Sequence, residues 1–289
     1  MIETAQAGDV ELAYETFGDP AAPPIVLVMG LGMQMLGWPL DFCTALAEEH
    51  FVVRFDNRDV GLSTHFDELP PGDPMAVLAG DVSSAAYRLS DMAADVIGLL
   101  DALGLARVHL VGASLGGMIV QAVAIEHPER VASLTSIMST TGDRSVGTPT
   151  PEAAELLMRP SPPDREGAIE RSLESARIIG SPGFGIDEAA IRERSALSYD
   201  RRYDPVGTSR QFAAILASGD RTDALRRLDV PALVIHGDAD VLVGVSGGRA
   251  TAAAIPGSEL LVIEGMGHDL PRGAWPTIIA AISRLVQSA

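Results

Sequence analysis

The sequence has little of three things: cysteine, positive charge and long apolar runs. Cys43 is the only cysteine among 289 residues, so the chain can form neither an intramolecular disulfide nor a cysteine-rich metal site. Lysine and arginine together number 21, against 39 aspartate and glutamate residues, which gives a formal net charge of −18. Because this charge repels nucleic acids and anionic membranes, we expect neither as a partner.

No stretch is long enough to span a bilayer: the longest apolar run, residues 25–36, is interrupted by Gly30, Gly32 and Gln34. The first residues soon turn polar and lack the basic and apolar segments of a secretory signal. We therefore expect a cytoplasmic protein. With 47% hydrophobic residues, the chain has enough apolar side chains for a large core. Composition leaves the oligomeric state open between monomer and dimer.

The glycine pair after the first apolar run could belong to a nucleotide-binding loop. The dinucleotide pattern G-x-G-x-x-G fails here, because Met35 occupies the third glycine position. The P-loop pattern fails as well, since no lysine follows. We expect no nucleotide, no other cofactor and no metal.

Apolar runs and helical patterns alternate along most of the chain, which predicts a doubly wound, mostly parallel sheet of the eight-stranded type. An alternating strand at 9–17 comes first. The other predicted strands are 25–29, 51–55, 108–111, 131–136, 232–236 and 259–263, and the predicted helices are 38–49, 89–103, 116–127, 247–255 and 277–287.

The alternation stops between residues 142 and 228, a segment with seven prolines and no strand pattern. Four amphipathic stretches, 152–158, 166–179, 187–199 and 209–218, predict helices there. The simplest organisation is a core of residues 1–141 and 229–289 with a helical cap of residues 142–228. Such a cap would cover the carboxyl ends of the strands, where open α/β sheets bind ligands.

A G-x-S-x-G sequence, Gly112 to Gly116, lies between a predicted strand and a predicted helix. A serine at such a sharp turn has a strained backbone, so the residues two before and two after must be small. The turn exposes the Ser114 hydroxyl at a helix N-terminus, which favours developing negative charge. Ser114 is therefore the candidate nucleophile.

A serine nucleophile needs a base and an orienting carboxylate, and both should follow strands of the same sheet. His268 follows the last predicted strand, whereas the other five histidines lie at positions typical of structural or solvated residues. Asp238 and Asp240 both follow the strand before it. We assign Asp240 as the acid and expect Asp238 to bond the loop backbone, with Asp238 as the alternative acid.

These segments resemble the α/β-hydrolase superfamily. The matching sequences are GASLG at 112–116, HGDAD at 236–240, GMGHD at 265–269 and DNRDVGLS at 56–63. Shorter matches, LVMGLG at 27–32, GWP at 37–39 and RDVG at 58–61, resemble the aclacinomycin methylesterase group and related bacterial carboxylesterases. The resemblance implies that the backbone N–H groups of Leu31 and Leu115 form the oxyanion hole. In that family a histidine usually precedes Gly30, and Met29 stands there instead.

The resemblance further implies a serine esterase that acts on small to medium apolar esters through an acyl-enzyme. Met33, Trp38 and Met118 are the candidate pocket residues. The same catalytic groups would also suit a thioesterase, a lactonase, a C–C hydrolase or a cofactor-free perhydrolase. A receptor that keeps the fold but has lost turnover is a further alternative.

Overall fold

The computed structural model describes residues 1–289, and its centre is a sheet in the order β1-β2-β4-β3-β5-β6-β7-β8. The strands are β1 (Glu3–Ala7), β2 (Val10–Phe17), β3 (Pro24–Val28), β4 (Phe51–Phe55), β5 (Val108–Ala113), β6 (Val131–Ile137), β7 (Ala232–Gly237) and β8 (Glu259–Ile263). Strands β3 to β8 are parallel to one another, whereas β1 and β2 pair antiparallel at one edge. The predicted doubly wound, mostly parallel sheet is confirmed.

Eleven α-helices accompany the sheet. They are α1 (Leu40–Leu46), α2 (Pro74–Leu78), α3 (Leu89–Ala102), α4 (Leu115–Glu126), α5 (Pro151–Met158), α6 (Arg165–Ile179), α7 (Glu188–Arg201), α8 (Pro205–Ser218), α9 (Thr222–Leu225), α10 (Val245–Ala254) and α11 (Trp275–Ser288). None of them has both the length and the apolar character that crossing a bilayer requires.

Outside residues 142–228, helix α2 was not predicted, and two further elements differ from the sequence prediction. Strand β1 was not predicted, because the sequence ETAQA has no apolar run and only two of its five residues are buried. The first helix is shorter than the predicted 38–49. It begins after Pro39 and ends at Leu46, because proline suits the start of a helix but not its interior.

The apolar core lies on both faces of the sheet. One cluster of 34 buried residues includes side chains from α3 and α4, and a second cluster of 20 includes side chains from α1 and α11. Helix α4 is buried at ten of its twelve residues. Because a helix that is apolar on all sides is stable only inside a protein, α4 holds the turn that precedes it at a fixed place in the core.

Helices α5 to α9 lie between β6 and β7, and no strand interrupts them. The four predicted helices of this segment are present with shifted ends, and the short α9 was not predicted. Helix α7 has no buried residue, and α6 has only Ile169 and Leu173. Helices α6 and α7 therefore contribute little apolar burial, whereas α8 buries Ala213, Ala214 and Ala217.

Candidate active site

The turn between β5 and α4 carries Ser114 in a left-handed backbone conformation, with φ at 54°. The two glycines around it have no room for a side chain. A Cβ on Gly112 would lie 2.1 Å from the carbonyl oxygen of Gly116, and a Cβ on Gly116 would lie 2.0 Å from that of Val28. The G-x-S-x-G spacing is thus a steric requirement of this turn.

The structure brings Ser114, His268 and Asp240 together at the carboxyl edge of the sheet. The Nε2 atom of His268 lies 2.9 Å from the Ser114 Oγ atom, and its Nδ1 atom lies 2.7 Å from Asp240 Oδ2. Ser114 directly follows β5, Asp240 follows β7 and His268 follows β8. In this arrangement the imidazole can accept the serine proton while the carboxylate holds the other ring nitrogen.

Several donors hold the carboxylate of Asp240. Its Oδ1 atom accepts hydrogen bonds of 2.9 Å from the N–H groups of Leu242 and Val243. Burial by itself would raise the pKa of Asp240, but the adjacent His268 charge and the hydrogen bonds from His236, His268 and the Val243 N–H lower it to about 2. The carboxylate is therefore ionised at neutral pH and can stabilise an imidazolium.

The alternative acid, Asp238, lies elsewhere. It is exposed, and its Oδ1 atom accepts a hydrogen bond of 2.7 Å from the Gly265 N–H, which ties the two loops together. His236, one of the five histidines at positions typical of structural or solvated residues, is fully buried. Its Nε2 atom lies 2.7 Å from the Val243 carbonyl oxygen and 3.4 Å from Asp240 Oδ2. It supports the loop that holds Asp240.

The two backbone N–H groups assigned to the oxyanion hole flank Ser114. Leu115 is the first residue of α4, and Leu31 lies in the loop after β3. Neither N–H donates a hydrogen bond within the chain. A Cβ on Gly30 would lie 3.3 Å from the Ser114 Cβ, so the loop passes directly beside the serine. Both N–H groups are thus without a hydrogen-bond partner in the chain.

A cavity of about 1920 Å³ opens over these groups and is lined by both the core and α5 to α8. It is larger than common ligand pockets of about 300–1,000 Å³. Met33 and Met118 line it, but Trp38 does not. The prediction for Trp38 is wrong, because its ring is fully buried and packs 5.6 Å from the Phe42 ring. Its place in the sequence, shortly before α1, did not show which way that side chain faces.

Three arginines that line the cavity, Arg144, Arg194 and Arg221, form no ion pair. Arg194 of α7 makes no hydrogen bond or salt bridge, and burial lowers its pKa although Asp269 and Asp187 lie near enough to raise it. Arg221 instead donates hydrogen bonds to Gln121 Oε1 and to the carbonyl oxygens of Thr140 and Gly219. The cavity therefore combines an apolar lining with the unpaired guanidinium of Arg194 on α7.

Asp59, His65 and Asp204 place three potential metal-ligand atoms within 4.8 Å of one another. Both oxygens of Asp59 already accept hydrogen bonds from Arg210, at 2.9 and 2.7 Å, and His65 Nδ1 lies 2.6 Å from Asp204 Oδ2. The donor set fits an ion-pair network between the core and α8, which no local sequence pattern had indicated.

Comparison with known proteins places this geometry in context. A profile of the alpha/beta hydrolase fold matches residues 23–271. The chain is 31% identical to rhodomycin D methylesterase DauP of Streptomyces sp. (strain C5), with 97% of this chain and 96% of that protein covered. It is 28% identical to 3-oxoadipate enol-lactonase 2 of Acinetobacter baylyi, with 91% and 88% covered. The enol-lactonase structure from Burkholderia xenovorans LB400 superposes with a TM-score of 0.77 at 23% identity and covers 99% of this chain and 100% of that one.

Proposed function

This chain belongs to the α/β-hydrolase family, and we propose that it is a serine hydrolase that cleaves carboxylic esters through an acyl-enzyme. The observation that carries the proposal is the hydrogen-bonded series Ser114, His268, Asp240, with distances of 2.9 and 2.7 Å. A serine hydroxyl becomes an effective nucleophile only when a base can take its proton. The relative named as a methylesterase supports ester hydrolysis over other uses of the fold.

The proposed reaction has two steps. His268 accepts the Ser114 proton as Oγ attacks the ester carbonyl carbon, and it then gives that proton to the departing alcohol. Water, activated by the same imidazole, hydrolyses the acyl-enzyme and releases the carboxylic acid. Asp240 keeps Nδ1 protonated throughout and stabilises the imidazolium that forms in each step.

The oxyanion of each tetrahedral intermediate lies between the N–H groups of Leu31 and Leu115. Donors of this kind are worth about 2.7–4 kcal/mol each in transition-state stabilisation. Both groups make no other hydrogen bond within the chain, so they need no rearrangement to bind the developing charge. The Met29 found before Gly30 does not alter this function, because the hole is made of backbone atoms.

For the substrate we propose an apolar ester held under a cap of residues 142–228. The cavity volume and the apolar lining, which includes Met33 and Met118, support a substrate of medium size. A cyclic ester is the second candidate, because one relative is named an enol-lactonase and opening a lactone uses the same groups.

The test uses p-nitrophenyl esters of increasing acyl length, methyl esters and a lactone. We expect turnover of the esters and covalent labelling of the serine by a fluorophosphonate. The variant Ser114→Ala should remain folded, lose labelling and lose about five to six orders of magnitude in kcat. Ordinary turnover by folded Ser114→Ala, or no turnover and no labelling of the unmodified protein, would refute the proposal.

A further inference from the structure

The loop that carries Leu31 is bonded to a cap helix through one side chain. The Gly32 N–H donates to Gln211 Oε1 at 2.9 Å, and Gln211 Nε2 donates to the Arg58 carbonyl oxygen at 2.7 Å. Gln211 lies on α8 and is fully buried. Its amide group therefore both accepts and donates a hydrogen bond in the interior. Losing either partner there would leave a buried polar atom unpaired and destabilise the fold.

These bonds act on the two peptide groups around Leu31. The carbonyl of the Gly30–Leu31 peptide accepts the Met33 N–H at 3.2 Å, and the N–H of that same peptide is the proposed oxyanion donor. The next peptide, Leu31–Gly32, is held by Gln211. Because a peptide group is planar, fixing both planes fixes the direction of the Leu31 N–H.

Further polar contacts of this loop also lead to the cap. Gln34 Nε2 donates to the carbonyl oxygens of Ser198 and Arg202 at 2.8 and 2.9 Å. The Met35 N–H donates to Asp56, and the other oxygen of Asp56 is bonded to Arg201, each at 2.6 Å. The loop beside Ser114 is thus held from the α7 and α8 side of the molecule.

Helix α8 is held in place by buried ion pairs close to Gln211. The preceding residue, Arg210, forms a two-bond ion pair with Asp59, and both side chains are fully buried. The side chain of Arg58, whose carbonyl receives the Gln211 amide, forms a two-bond ion pair with Asp95, both bonds being 2.6 Å long. Gln211 therefore connects a helix that is fixed by buried ion pairs to the loop that carries Leu31.

We infer that Gln211 is a positioning residue for the oxyanion hole, and that seating of the cap aligns the Leu31 N–H through it. The inference rests on the proposed function. A displacement of about 1 Å in such a group can reduce rate about a hundredfold. Gln211 acts on the transition state rather than on substrate binding, because the oxyanion exists only after Ser114 has attacked.

The test is Gln211→Met, which has similar length and no hydrogen-bonding group. With a p-nitrophenyl ester we expect kcat to fall about 10- to 100-fold and KM to stay within about twofold. An alkylboronic acid forms a tetrahedral adduct with the serine, so its inhibition constant should rise in parallel. Inhibition by the product carboxylic acid should not change.

Two variants separate positioning from loss of stability. Gln211→Glu keeps the acceptor for the Gly32 N–H, so it should retain more kcat than Gln211→Met. Ser218→Ala removes the bond that Ser218 Oγ accepts from the Leu89 N–H at the far end of α8, and it should leave kcat unchanged. If Gln211→Met does not fold, the test relies on Gln211→Glu. Its kcat and its affinity for the boronate should both be lower than those of the unmodified protein.

An unchanged kcat in folded Gln211→Met, or a loss that appears only in KM, would overturn the inference while leaving the esterase proposal intact. Equal losses in Ser218→Ala would also overturn it, since the effect would then come from α8 as a whole. Absence of ester turnover and of serine labelling in the unmodified protein would instead remove the proposed function on which the inference depends.

Discussion

The sheet around Ser114 and the helices above it are held in different ways. All six residues of β5 and ten of the twelve residues of α4 are buried, and most of them are apolar. Helix α7 has no buried residue. Its contacts are largely ion pairs, such as Arg165 with Asp200 and Arg192 with Glu170, both at 2.8 Å.

The proposed catalytic groups and the helices that cover them are therefore fixed by different interactions. The three groups of the proposed triad follow parallel strands in register, so the backbone of the sheet determines their spacing. The helices between β6 and β7 are joined to the sheet and its loops by buried ion pairs, chiefly Arg210 with Asp59 and Arg201 with Asp56. Substitutions at the sheet edge should therefore change kcat, whereas substitutions that break these buried ion pairs should change stability.

The largest effect is expected at the sheet edge, from Asp240→Asn. An amide at this position would favour the wrong tautomer of His268, so kcat on a p-nitrophenyl ester should fall by about 10⁴, or about 5.5 kcal/mol. The folded structure should persist. Asp238→Asn is the matched control and should change kcat less than about tenfold. A comparable loss in that control would make Asp238 the acid.

The next largest effect is expected at the buried ion pair between Arg210 and Asp59. Arg210→Met leaves the fully buried carboxylate of Asp59 without its main partner, and we expect a loss of about 3–5 kcal/mol in the free energy of unfolding. Urea unfolding measures it. Arg165→Gln removes a solvent-exposed pair within the same group of helices, and it should cost less than about 1 kcal/mol. Similar losses of unfolding free energy in the two variants would show that the buried ion pair is no more important to stability than the exposed one.

The smallest effect concerns pH. The folded-state pKa of Asp240, about 2, lies below the ordinary value of 3.8, so its ionised form stabilises the folded chain. That contribution is complete above about pH 5 and is lost as the pH falls towards 2. Between these pH values the unfolding free energy of the unmodified protein should fall by about 2 kcal/mol more than that of Asp240→Asn. Parallel curves would show that the carboxylate is not specially stabilised.

Much of the sheet edge was predictable from local patterns. The G-x-S-x-G spacing indicates the tight turn, because Gly112 and Gly116 contact neighbouring backbone directly. Asp240 and His268 were predicted from their places after the last two strands, and the structure brings them to Ser114. Trp38 was assigned to the pocket wrongly, since an apolar residue in the segment between β3 and α1 can face either the core or a cavity.

The polar contacts between α8 and the rest of the molecule were not predictable from local patterns. Gln211 is 179 residues from Gly32, and Arg210 is 151 residues from Asp59. No periodicity within α8 distinguishes these two polar side chains from solvated ones, so their burial follows only from where the helix docks.

The sequence by itself determined the alternation of strands and helices, the serine turn and the order of the candidate triad, because these depend on residues close in the chain and on the rule that parallel strands end at one edge. Tertiary structure alone decided which side chains line the cavity and which residues of α7 and α8 hold the loop that carries Leu31. Those contacts join segments far apart in the chain, and only the packed molecule brings them within bonding distance.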